Sequence, residues 1–282
     1  MNIVGIGTPG CRITKEFTKY PQYKTFFIDT SNSDGYKNFM KIVERKTHQE
    51  YEEKYKKLNF KNLKGETTLV LAGSGKITGI LLRLLEQLKD RSVSVLYIKP
   101  DVSSFTEEQV KIEKLVFGIL QEYARSNLLK SLHIVSNLQV EKILDNVSIS
   151  SYWQDINSVI CSTYHMLNVF ENTEPLLNNT ADPGPTCKIC TLGVVGYKTL
   201  NEKLFYNLQK TRLKKYFFGI SEKTLNEEKD LLQKIRDYVK EKSDMEEKCV
   251  SSFSIYSTQY EQDYVYTIHY ASFIQEQNIV YK

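Results

Sequence analysis

The chain has 282 residues, of which 26% are charged, and a formal net charge of +4 from 38 Lys and Arg against 34 Asp and Glu. The basic residues are interleaved with acidic ones, which argues against nucleic acid as a direct partner. No stretch approaches the roughly 18 apolar residues of a membrane span, and the N-terminus begins in a strand pattern rather than a signal sequence. We therefore expect a soluble, cytoplasmic protein of one large or two modest domains.

The five cysteines, an odd number, fit reduced thiols better than a disulfide framework. Cys187 and Cys190 form a CxxC pair, but no second ligand pair lies nearby, so structural thiols are expected rather than a metal site. The histidines, which are His48, His133, His165 and His269, are scattered and are expected in the core or on the surface. Ser74 lies in GSG rather than GxSxG, which argues against a hydrolase nucleophile.

Strand and helix patterns alternate over the first 150 residues. Strands are predicted over 2–6, 24–31, 67–73, 92–100 and 131–137, and helices over 12–20, 44–58, 80–90 and 106–125. Two strands run into glycine turns, GIGTPGC after the first and GSGKITG after the third. This alternation predicts an α/β fold with a mostly parallel sheet and helices on both faces. Ligands of such sheets bind at the carboxyl ends of the strands, where both turns lie.

The second half begins with a long helix, predicted over 151–167. Its apolar stripe consists of Trp153, Ile156, Val159, Ile160 and Tyr164. The Asn-, Pro- and Gly-rich residues 168–186 predict a domain junction. Strands are predicted over 187–195, 214–221, 249–257 and 264–273, and helices over 201–210 and 225–240. A short polar stretch joins the last two strands, which predicts an antiparallel pair.

The second glycine turn, residues 73–79, is a candidate phosphate cradle, and we call it the signature turn. It lies between a buried-type strand and a helix, so backbone N–H groups and the helix dipole would face an anion. It is not a Walker A loop, because no glycine lies five residues before Gly75. The first turn, GIGTPG, is less specific, since GxGxxG also serves dinucleotide enzymes, in which Asp29 would bind a ribose.

In their order along the chain, these segments resemble the tubulin/FtsZ family. The family's opening GxGxxG followed by Cys or Ser is matched by Gly5, Gly7, Gly10 and Cys11, and its loop GGGTGTG is similar to GSGKITG. Asp29-Thr30-Ser31 resembles a family strand ending in Asn-Thr-Asp, and HIVSNLQVEKIL one ending in Pro-Asn. The resemblance continues through KKYFFGIS, SSFSIYS and YVYTIHYASF to the last third of the chain.

The resemblance implies a GTP-binding domain over 1–150, a central helix and junction loop over 151–182, and a smaller α+β domain over 183–282. It implies GTP or GDP as ligand, with or without Mg, and head-to-tail self-assembly into filaments with hydrolysis completed across the subunit contact. The implied nucleotide-binding residues are Gly7, Gly10, Cys11, Arg12, Gly73, Ser74, Gly75, Lys76, Thr78, Gly79, Asn137, Asp155 and Asn157. Asp155 or Asn157, near the start of the central helix, would read the guanine.

Three residues of the turns depart from the family pattern. Arg12 replaces an Asn, and Ile77 replaces a glycine that normally lets the backbone close on phosphate. Lys76 replaces a Thr, and would either supply positive charge to the phosphates or face solvent.

The acidic loop that completes hydrolysis in the family, Asn-x-Asp-x-x-Asp, is matched imperfectly. Asn168 with Glu171 and Glu174 keeps two acids three residues apart, and Asn178 with Asp182 is the other candidate. In a loop beside prolines, such acids also fit the alternative of solvated side chains. Positioning a water molecule requires a carboxylate held at a fixed place near the phosphate, and that place depends on the folded chain.

The residues leave two alternatives to a GTPase open. A structural or assembly protein that kept the fold but lost nucleotide binding and hydrolysis is motivated by Ile77 and the imperfect acidic loop. A dinucleotide enzyme using Asp29 is the other. An acidic C-terminal tail, by which many cell-division members recruit partners, is absent at residues 275–282. This favours a divergent filament of viral or plasmid type, which for a virus would form in the host cytoplasm.

Overall fold

A computed structural model of the chain describes residues 1–32, 34–60, 63–145, 147–245 and 247–275. The described strands are β1 Asn2–Ile6, β2 Lys24–Asp29, β3 Phe39–Lys41, β4 Thr67–Ala72, β5 Val93–Lys99, β6 Ser131–Ser136, β7 Leu177–Asn178, β8 Ile189–Val195, β9 Glu202–Leu204, β10 Thr211–Ser221, β11 Val250–Thr258 and β12 Tyr264–Ala271. The described helices are α1 Gly7–Glu16, α2 His48–Glu53, α3 Leu81–Gln87, α4 Glu107–Arg125, α5 Asn137–Leu144, α6 Tyr152–Glu171, α7 Glu222–Glu227 and α8 Leu231–Asp244. Short 3₁₀ helices cover Phe17–Lys19 and Lys76–Ile80.

One sheet runs through both halves of the chain, in the order β3-β2-β1-β4-β5-β6-β8-β12-β10-β11-β7, with β9 paired to β8. All pairs from β3 to β6 are parallel, which confirms the predicted parallel sheet. At the centre β8 is parallel to β6 and antiparallel to β12. The second half therefore extends the first sheet as a mixed sheet. No helix in the described residues is long and apolar enough to span a membrane.

Helices cover both faces of the parallel part, so the central strands β1, β4, β5 and β6 are buried along most of their length. One core contains Leu84 of α3 and Phe117 of α4, and the other contains Ile13 of α1 and Ile160 of α6. In the second core α6 packs with apolar residues of both halves, including Val70, Leu96, Leu192, Phe217 and Tyr270. A third core lies between α8 and the outer strands β10 and β11. The long helix thus packs against both halves, as the fold class predicts.

The first turn is shorter than its pattern predicts, since α1 begins at Gly7 rather than at Arg12. Gly7 turns the chain from strand into helix with a φ of +68°, a conformation that glycine adopts without the steric cost of a side chain. Several other boundaries differ too. The helix predicted over 44–58 is limited to α2, that over 225–240 is split into α7 and α8, and α6 continues to Glu171.

The helix predicted over 201–210 is wrong. Residues 202–204 form β9, whose Leu204 pairs with Gly193 of β8. Phe205 follows it, is fully buried, and donates its amide to Leu192 O at 2.8 Å. Pairing with an available strand edge therefore overrides the local helical pattern, because strand formation depends on tertiary neighbours more than on intrinsic preference.

The antiparallel pair predicted from the last two strands is also wrong. β10 lies between them, parallel to β11 and antiparallel to β12. Next-nearest strands are only about 10 Å apart, so residues 259–263 can cross the end of β10.

Trp153, predicted in the apolar stripe of the long helix, is 55% exposed and packs edge-on against Tyr152. Residues 276–282, which bear on the absent acidic tail, lie outside the described residues.

Candidate functional site

The two glycine turns meet at one rim of the sheet. β1 and β4 are parallel neighbours in matched register, from Asn2 opposite Thr67 to Ile6 opposite Leu71, so their carboxyl ends lie side by side. A methyl carbon of Ile77, Cγ2, lies 2.9 Å from where a Cβ would stand on Gly7. The turns of residues 5–10 and 73–79 are therefore in direct contact.

Most of the glycines are required by close packing. A Cβ would lie 2.2 Å from Val70 O at Gly10 and 2.0 Å from His48 O at Gly79, separations no side chain tolerates. Gly75 differs, because it is exposed and the nearest atom to its ideal Cβ is Ile77 Cγ2 at 3.5 Å. Among the glycines of the two turns, Gly75 is therefore the one whose backbone is open to an approaching ligand.

The turn is braced from within by Thr78. Its hydroxyl donates to Gly75 O at 2.7 Å, and its amide donates to the same carbonyl at 3.0 Å. Thr78 is buried and Ser74 is half-buried. The Thr78 hydroxyl therefore stabilises the conformation of the turn, and the hydroxyl of Ser74 is more accessible at the rim.

Ile77 fills space near the two turns that a phosphate would need. Lys76, whose positive charge could bind that phosphate, already has other partners. Ile77 is half-buried, and its side chain packs onto the core beneath α3 and α4 while reaching between the two turns. The Lys76 ammonium lies 3.0 Å from Lys46 O and 3.5 Å from a carboxylate oxygen of Glu108 on α4. A phosphate at this rim would compete with both oxygens for Lys76.

Cys11 and Arg12, on α1, face different surroundings. The Cys11 thiol is fully buried, 3.6 Å from Gly5 O and 3.7 Å from Ile28 O. Burial, with Asp29 nearby, raises the pKa of Cys11 to about 12, so the group stays a neutral thiol packed below the turn. Arg12 is exposed. Of these two predicted contacts, only Arg12 has a side chain free to reach solvent.

Asp29 and Thr8 add polar groups at the same rim. β2 lies beside β1, and the Asp29 carboxylate at its carboxyl end accepts hydrogen bonds from the Thr8 hydroxyl at 3.0 Å and the Thr30 amide at 2.8 Å. Sequence reasoning linked Asp29 to the dinucleotide alternative and to a family strand ending in Asn-Thr-Asp, but it did not place Asp29 among the nucleotide-binding residues and did not single out Thr8. The signal was available, since Asp29 ends β2, Thr8 follows β1, and the carboxyl ends of these two strands meet at this edge.

Three more of the predicted nucleotide-binding residues, which include the guanine-reading candidates Asp155 and Asn157, lie at the starts of two helices. Asn137 is the first residue of α5, directly after β6, and Asp155 and Asn157 lie in the first two turns of α6. Asp155 accepts a 2.6 Å hydrogen bond from the Ser151 hydroxyl. The Tyr152 hydroxyl donates to Glu141 at 2.8 Å, which ties the start of α6 to α5.

The predicted catalytic acids lie at the other end of the strands. Glu171, Glu174 and Asp182 line a cleft of about 680 Å³. The same cleft is lined by residues that precede or begin strands of the parallel sheet, namely Met1, Glu66, Ser94 and Ser131. The acids are therefore at the amino ends of the strands, whereas the glycine turns are at the carboxyl ends. No single copy of the chain brings the two sets together.

Lysines offset the acids in this cleft. Glu171 is reached by solvent but lies in a concave site, where desolvation raises its pKa against the opposing charges of Lys130 and Lys215. Lys215 is 9% exposed, and desolvation lowers its pKa against the opposing charges of Glu171 and Asp182. Lys130 pairs with Glu66 at 2.7 Å. Lys215 was missed because it lies inside a strand pattern.

The CxxC pair and the histidines have structural partners. His133 Nδ1 lies 3.2 Å from the Cys190 sulfur, and Nε2 lies 2.9 Å from the Ser131 hydroxyl. Burial lowers the pKa of His133 to about 3, so the ring is neutral at neutral pH. All five cysteines are buried and unbridged. Within the described ranges no group of three or more His, Cys, Asp or Glu side chains could hold a metal ion.

Comparison with solved structures shows which known proteins share the fold of the whole chain. No family model and no curated protein sequence matches the chain. Among solved structures, a GTPγS-form protofilament of TubZ from Bacillus thuringiensis serovar israelensis is 15% identical, with a TM-score of 0.69 over 95% of this chain and 86% of that one. An empty FtsZ dimer from M. jannaschii is 11% identical, with a TM-score of 0.69 over 100% and 93%.

A GTPγS-bound protofilament of CetZ2 from Haloferax volcanii is 11% identical, with a TM-score of 0.67 over 95% of this chain and 92% of that one. These matches span nearly the full length of both partners in each comparison. They therefore include the parallel sheet, the long helix and the mixed sheet beyond it. The chain has the fold of the tubulin/FtsZ superfamily.

Proposed function

We propose that the chain binds a guanine nucleotide at the rim where the two glycine turns meet. The observation that carries this is the contact between the turns of residues 5–10 and 73–79, with the exposed Gly75 backbone open to solvent. Backbone amides at helix starts are suited to phosphate. TubZ and CetZ2, which share the fold, have structures in GTPγS forms.

The nucleotide, GTP or GDP, would have its phosphates on the amides of residues 73–75 and its base towards Asn137, Asp155 and Asn157. Mg would be held through the phosphates, with one carboxylate completing its ligands; Asp29, at the same rim, has the right chemistry. Arg12, exposed on α1, would supply positive charge.

The chain would assemble head to tail, because the acids and the turns lie at opposite ends of the strands. Stacking copies in the same orientation would bring the cleft of one over the rim of the next. A contact between two different surfaces that does not close produces a filament. TubZ and CetZ2 are found as protofilaments, and the buried, unbridged cysteines suit the reducing cytoplasm.

Hydrolysis would be completed at that contact. A carboxylate from Glu171, Glu174 or Asp182 of one copy would orient water towards the terminal phosphate on the next. Glu171 is our first choice, because it ends α6 and is therefore fixed by a helix, whereas Glu174 and Asp182 lie in the loop beyond it.

Calorimetric titration with GTP tests the binding proposal. We expect micromolar or tighter affinity for the unaltered chain and loss of binding in Gly75→Val, whose side chain would fill the open part of the cradle. Gly35→Val is the matched control, because no atom of the described residues lies within 4 Å of the ideal Cβ of Gly35, which is outside the turns, although its φ of +66° adds local strain. No detectable binding of GTP at millimolar concentration would end the proposal.

A second candidate function is a filament or assembly protein that uses the fold without nucleotide. Two observations favour it: Ile77 Cγ2 lies between the turns, and Lys76 is bound to Glu108 and to Lys46 O. Sedimentation and negative-stain microscopy with and without GTP separate the two functions. Filaments that form equally well after all nucleotide has been removed would favour this second function.

A further inference from the structure

A buried polar cluster lies directly beneath the signature turn, on β5 and α4. Tyr97 of β5 is fully buried, and its hydroxyl donates a 2.9 Å hydrogen bond to Oε1 of Glu113 on α4. The Lys99 ammonium lies 2.9 Å from the same carboxylate oxygen. The three side chains therefore form one connected unit inside the core that α4 shares with the sheet.

The burial of charge in this cluster requires an explanation. The Glu113 side chain is 1% exposed and that of Lys99 is 18% exposed. A buried carboxylate is unfavourable unless it is paired and hydrogen-bonded, and apolar residues of similar volume in its place are often neutral or stabilising. Stability alone is thus a weak reason for placing Glu113 and Lys99 here.

The cluster touches the turn through the side chain of Tyr97. The Tyr97 hydroxyl oxygen lies 1.9 Å from where a Cβ would stand on Gly73, and two carbons of the Tyr97 ring lie 2.7 and 2.9 Å from the same position. The backbone of Gly73 therefore rests directly on the tyrosine, and only glycine fits between the turn and the ring.

The tyrosine is itself held in place. Its ring stacks on Phe117 at 5.3 Å between centroids, and the Lys99 ammonium lies 4.2 Å from the Phe117 centroid. Moving the hydroxyl away from Gly73 would break its hydrogen bond to Glu113. Burial and the nearby carboxylate raise the pKa of Tyr97 well above its usual range, so the hydroxyl keeps its proton and remains a donor.

We infer that Tyr97, Glu113 and Lys99 are positioning residues for the signature turn. They fix the position of the Gly73 backbone at the rim and therefore the direction in which the amides after Gly73 point. Direction matters because backbone donors bind an anion well only when they are aimed at it before it arrives. The consequence for phosphate binding rests on the proposed function, whereas the effect on the turn itself does not.

Amide hydrogen exchange of the nucleotide-free protein tests the effect on the turn. In Tyr97→Phe, which keeps the ring and removes the hydroxyl, we expect faster exchange in peptides covering residues 73–80 and little change in β4 or α8. Tyr123→Phe is the matched control, because Tyr123 is on α4 and packs on the same core but is not among the atoms nearest to the turn glycines. Unchanged exchange in Tyr97→Phe would overturn the inference.

A double-mutant cycle with GTP titration tests the effect on binding. Tyr97→Phe should bind GTP about tenfold more weakly, from loss of a hydrogen bond to a charged group, with an unchanged affinity in Tyr123→Phe. Gly73→Ala should bind worst. Adding Tyr97→Leu to Gly73→Ala should recover part of that loss, because the hydroxyl and ring carbons that the new methyl meets are removed.

The outcomes separate this inference from the proposed function. Losses of Gly73→Ala and Tyr97→Leu that simply add would mean that the tyrosine acts only through global stability, and would overturn the inference. If the unaltered chain binds no GTP while exchange in the turn still responds to Tyr97→Phe, the proposed function fails and the positioning role stands.

Discussion

At the scale of single residues, Ile77 is the side chain whose position bears most directly on the candidate site. Its Cγ2 methyl lies 2.9 Å from the ideal Cβ position of Gly7 and 3.5 Å from that of Gly75. The sequence identified Ile77 as a departure from the family pattern, but a departure in sequence does not say where the side chain points. The structure shows it directed between the turns while it also packs on the core.

Shortening this side chain is expected to strengthen nucleotide binding. Ile77→Ala keeps the 3₁₀ backbone of Lys76–Ile80 and removes the methyl groups between the turns, so GTP should bind more tightly by calorimetric titration. Unfolding stability should fall by about 1–2 kcal/mol, because part of a half-buried side chain is lost. Ile77→Leu, which keeps the volume, is the control. Equal or weaker GTP affinity in Ile77→Ala would show that Ile77 does not obstruct the site.

His133 is a residue whose role the sequence left open, and its burial gives a pH dependence. The pKa of the ring is about 3 in the folded protein and near 6.5 when unfolded. A group whose pKa is lowered by folding binds more protons in the unfolded state, so stability falls as pH drops below 6.5 and continues to fall until about 3.

Between pH 7 and pH 5 this histidine alone should remove about 2 kcal/mol of unfolding free energy. Urea unfolding at the two pH values measures the loss. In His133→Gln the same pH change should cost less by about that amount, although the variant starts less stable because the Cys190 and Ser131 contacts change. A pH dependence equal to that of the unaltered chain would mean that His133 is not buried as a neutral ring.

At the scale of elements, the periodic patterns located strands better than they located their partners. Every strand predicted in the first half is present because a run of buried apolar residues is a local signal. The false helix over 201–210 and the false pairing of β11 with β12 both come from strand pairing that the local pattern does not encode. Residues 202–204 pair with β8, and β10 lies between β11 and β12. The α6 stripe was correct at Ile160 and wrong at Trp153 for the same reason: only the packing of the helix ends tells which turn is covered.

The two ends of that stripe should differ in stability. Ile160 is fully buried in the core that α6 shares with both halves, so Ile160→Ala should destabilise the chain by about 2–5 kcal/mol. Trp153 is 55% exposed, so Trp153→Ala should change unfolding free energy by less than about 1 kcal/mol. Urea unfolding followed by circular dichroism measures both. A larger loss in Trp153→Ala than in Ile160→Ala would contradict the packing of α6.

At the scale of the whole molecule, the glycine turns and the acids lie at opposite ends of the strands, and the proposed shared site follows from this arrangement. A site shared between copies makes a prediction that a site within one copy does not. Gly75→Val should lack nucleotide but keep its acids, and Glu171→Ala should bind nucleotide but hydrolyse it slowly. Each variant retains the end of the molecule that the other has lost.

Mixing these two variants should restore part of the GTP hydrolysis rate. In a head-to-tail contact the cleft of Gly75→Val can serve the nucleotide held by Glu171→Ala. Phosphate release, measured for each variant alone and for the mixture at the same total concentration, tests this. A mixture no faster than the sum of its parts would argue against a shared site, and unimpaired turnover in Glu171→Ala alone would mean that another carboxylate acts.

The sequence by itself determined strands β1, β2, β4, β5 and β6 and helices α1 to α4 of the first half, the parallel sheet, and the glycine turns at strand ends. These follow from local causes: buried runs form strands, helical periodicity forms helices, and glycine permits the turns. Only the tertiary structure decided that β10 separates the last two strands, that Ile77 lies between the turns, that Tyr97 supports Gly73, and that the acids lie far from the rim. Each of these depends on which distant residues become neighbours, and contacts between residues far apart in the chain leave no periodic signal in either segment.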